Sequence, residues 1–191
     1  MRRGFKEEAK RLALEIRQEL GLDPFARLDP HLLAELYGIP IYPLTEMDRW
    51  GCSAETLAHY ADDETGSFSA ALIPCGTGRM IIDNDCHAST RRRASVAHEM
   101  AHILLEHPFG AAILTPAGCR AVAPEIEAEA TWLGGELLIP FRATLMWARR
   151  GASDNEVAQH HGVSLRYAGM RMNASGARKI ASRTPTRRQA P

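Results

Sequence analysis

The chain has 191 residues, 45% of them hydrophobic and 24% charged, with 23 basic residues balancing 23 acidic ones. That size and apolar share fit one domain with a proper core and exclude a disordered chain. The neutral balance excludes a global electrostatic attraction to nucleic acid or to an anionic membrane.

The amino-terminal stretch MRRGFKEEAKRLALEIRQEL lacks the apolar segment of a signal peptide. It predicts an amphipathic helix over 5–20, with Ala9, Leu12, Ala13, Ile16 and Leu20 on one side, ended by Gly21 and Pro24. Asp29 and Pro30 supply an N-cap and a first-turn proline for a second helix through HLLAELYG, closed by Gly38. Residues 39–42 read as a short strand, and 44–65 as mostly irregular chain. Ser67–Ile73 and Arg79–Asp83 read as two strands joined by a Pro74–Gly78 turn. A helix over 91–106 follows, stopped by Pro108 and Gly110. Residues 109–121 read as a loop with a short strand near Ala112–Leu114. Pro124 opens another helix, Pro140 ends it, and a further helix covers 141–149. No apolar run is long enough for a membrane span. The four cysteines, Cys52, Cys75, Cys86 and Cys119, form no C-x-x-C pair, which predicts reduced thiols in a cytoplasmic protein. Three basic clusters, Arg91–Arg93, Arg149–Arg150 and Arg187–Arg188, read as solvated faces.

The chemistry is concentrated in the helix after the second strand. His98-Glu99-Met100-Ala101-His102 lies in a run without Gly or Pro. Helical spacing puts His98 and His102 on one face, where both imidazoles can reach one metal ion. Glu99 lies beside that face, where a carboxylate can take a proton from metal-bound water. Two hydrogen-bonded histidines in a buried helix are the bland alternative. A catalytic site needs a third protein ligand and an open fourth position. On the helix starting at Pro124, Ile126, Ala130, Leu133 and Leu137 form the apolar stripe. Glu129 falls close to it, whereas Glu125 and Glu127 project to either flank. A carboxylate on a buried face is costly unless paired or bound to metal. Glu129 is therefore the candidate third ligand, its alternative being a carboxylate paired with an arginine or at the core rim. His107 does not complete a longer zinc motif, because Leu105 and Pro108 stand where Gly and His are needed. His31, His59 and His87 read as surface histidines, and Ser69 and Ser95 show no nucleophile arrangement.

These residues resemble the ImmA/IrrE family of metallopeptidases. The resemblance rests on HEMAHILLEH and on EATWLGGELLIP from Glu129 to Pro140, which is similar to the family's E-A-N-x-F-A-A-x-L-L-M-P. Thr131, Leu133 and Gly134-Gly135 depart from that pattern; two glycines weaken a helix by roughly 1 kcal/mol each unless close packing requires them. DPHLLAELYGIPIYPL and MIIDND extend the likeness upstream. The resemblance implies a gluzincin-like α+β fold and His98, His102 and Glu129 as metal ligands. It also implies an activity that cuts a helix-turn-helix repressor to relieve repression of mobile-element or stress-response genes.

The reading as a whole is an α+β, mainly helical zincin-like core over 1–148 with a small antiparallel or mixed sheet. A helix-turn-helix-like segment packs on it over 149–180, and 181–191 is a disordered tail. In that segment Ala158 marks a close helix approach, Gly162 the turn and Ser164 the cap of a second helix. Arg166 and Arg171 would meet DNA if that helix bound it; the alternative is a helical pair that shapes the cleft. The expected cofactor is Zn2+, with Mn2+ or Fe2+ as substitutes in a His-His-Glu site. Glu99 is the expected base, and Tyr60, Tyr167 and Arg171 are the candidate oxyanion donors. The expected partner is a protein substrate, and the rival reading is a DNA-binding or repressor-sequestering regulator with a non-catalytic metal site.

Overall fold

A computed structural model describes residues 1–61, 68–108 and 123–183. The predicted loop at 109–121 and most of the predicted tail lie outside the described residues. The described part is mainly helical, with one small mixed sheet: α1 (Phe5–Glu19), α2 (Pro30–Leu36), β1 (Ile41–Pro43), a 3-10 helix (Leu44–Trp50), α3 (Ala54–Ala61), β2 (Ala70–Cys75), β3 (Gly78–Asp83), α4 (Ser89–Leu104), α5 (Pro124–Leu138), α6 (Phe141–Arg149), α7 (Asp154–His161), α8 (Leu165–Ala174) and α9 (Ala177–Arg183). This is an α+β fold, as expected. The stretch read as irregular instead carries the 3-10 helix and α3. Residues 44–61 lack a long apolar period because α3 buries none of its residues, so periodicity had little to detect.

The sheet has the order β1-β3-β2. β3 pairs in parallel with β1 and antiparallel with β2, and Ile81 stands opposite both Ile41 and Leu72. Ile81 is fully buried, so the sheet's central strand anchors it to the core. Among the described residues β2 is an edge strand.

Local chemistry explains the helix ends. Asp29 Oδ1 accepts from the His31 N–H at 3.1 Å, the predicted cap of α2. Ser153 and Glu156 form a reciprocal capping box on α7. Gly162 adopts φ 64° between α7 and α8, and Ser164 Oγ accepts from the Tyr167 N–H. The helix carrying the histidine motif ends at Leu104, not 106. Glu106 takes a left-handed φ of 51°, and the Glu106 and His107 N–H groups donate to the Ile103 and His102 carbonyls. That is a Schellman ending with glutamate where glycine is usual.

The core is continuous from the amino-terminal helix to α8. Phe5, Ala9, Ala13 and Ile16 of α1 join Val96, Ala97 and Met100 of α4, Ala130, Leu133 and Leu137 of α5, and Val157, Ala168 and Met172 beyond. α5 is its centre. A Cβ built on Gly134 would lie 3.3 Å from the Ala97 carbonyl oxygen of α4, and one on Gly135 would lie 3.2 Å from Arg171 Cδ of α8. The two glycines therefore let α5 approach a neighbour on each of two sides, which compensates their poor helix propensity.

The first arginine cluster is not a solvated face. Arg92 Nε donates to the buried Asp83 at 2.7 Å, and buried Arg93 donates to the Leu28 carbonyl. Ion pairing engages Arg92 and backbone carbonyls engage Arg93, which a charge count cannot reveal. His87 is also buried, with its Nε2 3.4 Å from Asn84 Nδ2, rather than a surface histidine. Cys52, Cys75 and Cys86 are exposed free thiols.

Candidate metal centre

α4 brings His98 and His102 to one face, with their Nε2 atoms 3.1 Å apart. The carboxylate that meets them comes from α5, and it is Glu127. Its Oε2 lies 3.2 Å from His98 Nε2 and its Oε1 3.5 Å from His102 Nε2. Among the described residues these three form a group able to hold a metal, with ligand atoms within 4.8 Å of one another. A tetrahedral zinc with bonds near 2.0–2.1 Å has ligand atoms about 3.3 Å apart. The three observed separations bracket that value, so the donor set fits such an ion in number, chemistry and spacing. Glu127 is 42% exposed and His98 27%, which leaves the group open on one side, as a catalytic site requires.

The structure places Glu129 elsewhere. It accepts from the Arg2 backbone N–H at 2.7 Å and from the Arg2 guanidinium at 3.1 and 3.2 Å. Burial alone would raise its pKa; the Arg2 bonds and charge reverse this and hold it below the usual carboxylate value. The arginine-paired alternative is thus what is observed, and Glu127 takes the position by the histidines. The apolar stripe points to Glu129 because it reports burial; Glu127, on the rim of that face, is the carboxylate that lies beside the histidines in this structure. The sequence also holds a signal for the placement of Glu127. Glu127 precedes Gly134 by seven residues, about two turns, so the two share a face. Gly134 touches the Ala97–His98 backbone, which makes that face the one turned to α4.

Glu99 borders a cleft of about 270 Å³, lined also by Ser69, Ala70, Arg91, Ala94, Ser95 and His98. It lies between α4 and the start of edge strand β2. Burial, then the Glu127 charge, pushes the Glu99 carboxyl up to about 8, against a backbone hydrogen bond from Leu72. Burial, then the charges of His98 and His107, pushes His102 down to about 4, which keeps it neutral and a competent ligand.

Tyr60 and Tyr167 are not among the described residues lining this cleft. Tyr60 stacks edge-on against Phe68, and its carbonyl accepts from Asn84. Tyr167 packs on the core, where burial raises its phenol to about 12. Arg171 is only 3% exposed; its Nε donates to the Ile139 carbonyl at 3.0 Å and its Nη2 lies 2.5 Å from Glu136. It faces α5 at Gly135 and serves neither the cleft nor a DNA-facing surface. Arg166 is exposed.

The chain matches the family model for the IrrE N-terminal-like domain of the M78 peptidases over residues 34–173. It belongs to this family. The matched span of this M78 member runs from α2 to α8, so it includes the metal-centre residues, the cleft and the helix-turn-helix-like pair. No curated protein and no solved structure matches the chain. Membership makes it a metallopeptidase-like protein, for which a divalent metal is implied. Among the described residues no helix is long and apolar enough to cross a membrane.

Proposed function

We propose that this M78 member is a metal-dependent endopeptidase that cleaves a helix-turn-helix repressor. The observation that carries the reading is the convergence of His98, His102 and Glu127, with His98 and Glu99 also lining a cleft. His98, His102 and Glu127 would hold the metal, zinc by default, with manganese or iron compatible with the same donors. A divalent cation held there supplies Lewis acidity to a scissile carbonyl and lowers the pKa of water. Glu99 accepts the proton of the attacking water and delivers it to the leaving amine. Its Leu72 hydrogen bond ties the carboxyl to β2 in the wall of the cleft. Among the described residues β2 is an outer strand of the sheet, and an outer strand offers backbone groups to an extended substrate segment, which favours an exposed loop of a protein over a small molecule. The repressor as substrate follows from the family resemblance of HEMAHILLEH and EATWLGGELLIP.

The test is zinc-loaded protein incubated with a panel of helix-turn-helix repressors and with an unbiased peptide mixture, read by intact mass. The expected products are two fragments that together equal the substrate plus one water. Chelator stops the reaction and added zinc restores it. Glu99→Gln keeps its zinc and yields no fragments. Equal cleavage by Glu99→Gln would remove the assigned base; cleavage of peptides but of no repressor would remove the substrate assignment.

A further inference from the structure

Arg92 and Arg93 of the first arginine cluster turn to Asp83 and to backbone carbonyls, whereas Arg91 lies in the wall of the cleft. It is half-buried, and its Nε and Nη2 donate to the Ser69 hydroxyl at 3.2 and 2.9 Å. Ser69 stands just before β2, where its carbonyl accepts from the Asn84 N–H at 3.0 Å. The guanidinium is thus held against a fixed post. A hydroxyl orients such a group without cancelling its charge, and it occupies only part of the N–H fork.

The cleft has a direction. Arg91, Ala94, Ser95 and His98 line it at intervals of three and four residues, so they lie along one face of α4. Arg91 precedes His98 by two helical turns, about 10 Å along the axis. An extended chain covers that distance in about three residues. Between the two ends, Ala70, Ala94 and Ser95 present only small side chains, and the Ser95 hydroxyl donates to the Arg91 carbonyl at 3.2 Å. That stretch admits many residues without selecting among them. Discrimination therefore falls to the cation at the far end.

We propose that Arg91 is a specificity-determining residue that binds a substrate carboxylate, the side chain of an Asp or Glu about three residues from the scissile bond. The proposal rests on the reading of this cleft as the place of peptide hydrolysis, and it narrows the substrate to a loop with an acidic residue at that distance. A carboxylate matches a guanidinium in charge and planarity, and the half-buried setting strengthens the pair relative to open water.

The test uses zinc-loaded protein and short peptides of alanine, serine, threonine and leucine. One position, moved along the peptide in turn, carries glutamate, glutamine or lysine. Cleavage is read by mass on the wild type, and binding by fluorescence anisotropy on Glu99→Gln, alone and combined with each Arg91 variant. Glutamate should outdo glutamine by about tenfold at one position near the third from the cut, as expected for one charge-assisted contact. Arg91→Gln should bring that ratio near one, and Arg91→Glu should place lysine ahead of glutamate. Each ratio is taken within one protein, so a partial loss of folding does not imitate it. A glutamate preference that survives in Arg91→Glu overturns the proposal, as does a chain with native Arg91 that is indifferent to charge at every position. If the wild type cuts no peptide, the hydrolysis reading fails, while the binding ratios still decide the role of Arg91.

Discussion

The buried pair of Arg171 and Glu136 gives a sharp energetic test of how the carboxy-terminal helices are tied to α5. Arg171→Met removes a guanidinium that is 3% exposed and leaves Glu136, 1% exposed, with the Phe141 N–H at 2.8 Å as its remaining donor. The Arg171–Glu136 contact is short, 2.5 Å, but its angle is too poor for a hydrogen bond, so it acts as a charge pair. Removing one partner of such a pair costs about 3–5 kcal/mol, because the other charge stays buried. The bond to the Ile139 carbonyl is lost as well. Against a typical total of about 5–15 kcal/mol, the variant should approach the folding threshold. Glu136→Gln should be costly for the mirror-image reason, while its amide oxygen still accepts from Phe141. The double variant leaves no unpaired charge and should cost about 2 kcal/mol less than the sum of the singles. Urea titrations of all four proteins, followed by circular dichroism, give the coupling. Additivity within about 0.5 kcal/mol would refute the account.

Four further outcomes are expected. His161 is fully buried, and its Nε2 accepts from the Trp147 indole at 3.1 Å; burial, then the charges of His160 and Arg17, push it down to about 3. The unfolded chain takes that proton near pH 6.5 and the native chain does not until about pH 3. Stability should thus be full above pH 6.5 and fall by roughly 2 kcal/mol on reaching pH 5; His161→Gln should flatten that slope, and an unchanged slope would contradict it. Glu106→Gly should raise the urea midpoint, worth about 0.5–1 kcal/mol, by relieving a left-handed glutamate. Gly134→Ala gains about 1 kcal/mol of helix propensity but crowds the Ala97 carbonyl, for a net loss of about 1 kcal/mol in thermal melts; a stabilised variant would mean slack between α4 and α5. Ser153→Ala breaks the α7 capping box and should cost about 1 kcal/mol by the same melts.

What was legible in the sequence followed how local the physics is. The caps at Asp29, Ser153 and Ser164 and the turn at Gly162 depend on a few neighbouring residues, and they stand where local chemistry puts them. His98 and His102 share a face because helical spacing makes them do so. The third carboxylate depended on where α5 meets α4, a tertiary fact. The apolar stripe reports burial, and burial alone does not distinguish a carboxylate held by Arg2 from one offered to a cleft. Arg171 was misjudged for a similar reason: a cation on a short polar helix resembles a surface group until its partner on α5 is seen.

One helix, α5, presents Glu127 to the histidines, Glu129 to Arg2 and Glu136 to Arg171. Three separate parts of the chain are thereby indexed to the rotation of a single cylinder. A twist of α5 that improved one contact would spoil the other two, so the helix has one acceptable angular setting. Loosening the carboxy-terminal helices should then register at the ligand face as well, without any residue linking the two directly. Unfolding should accordingly proceed as one event, with no stage at which the metal centre survives the departure of α8.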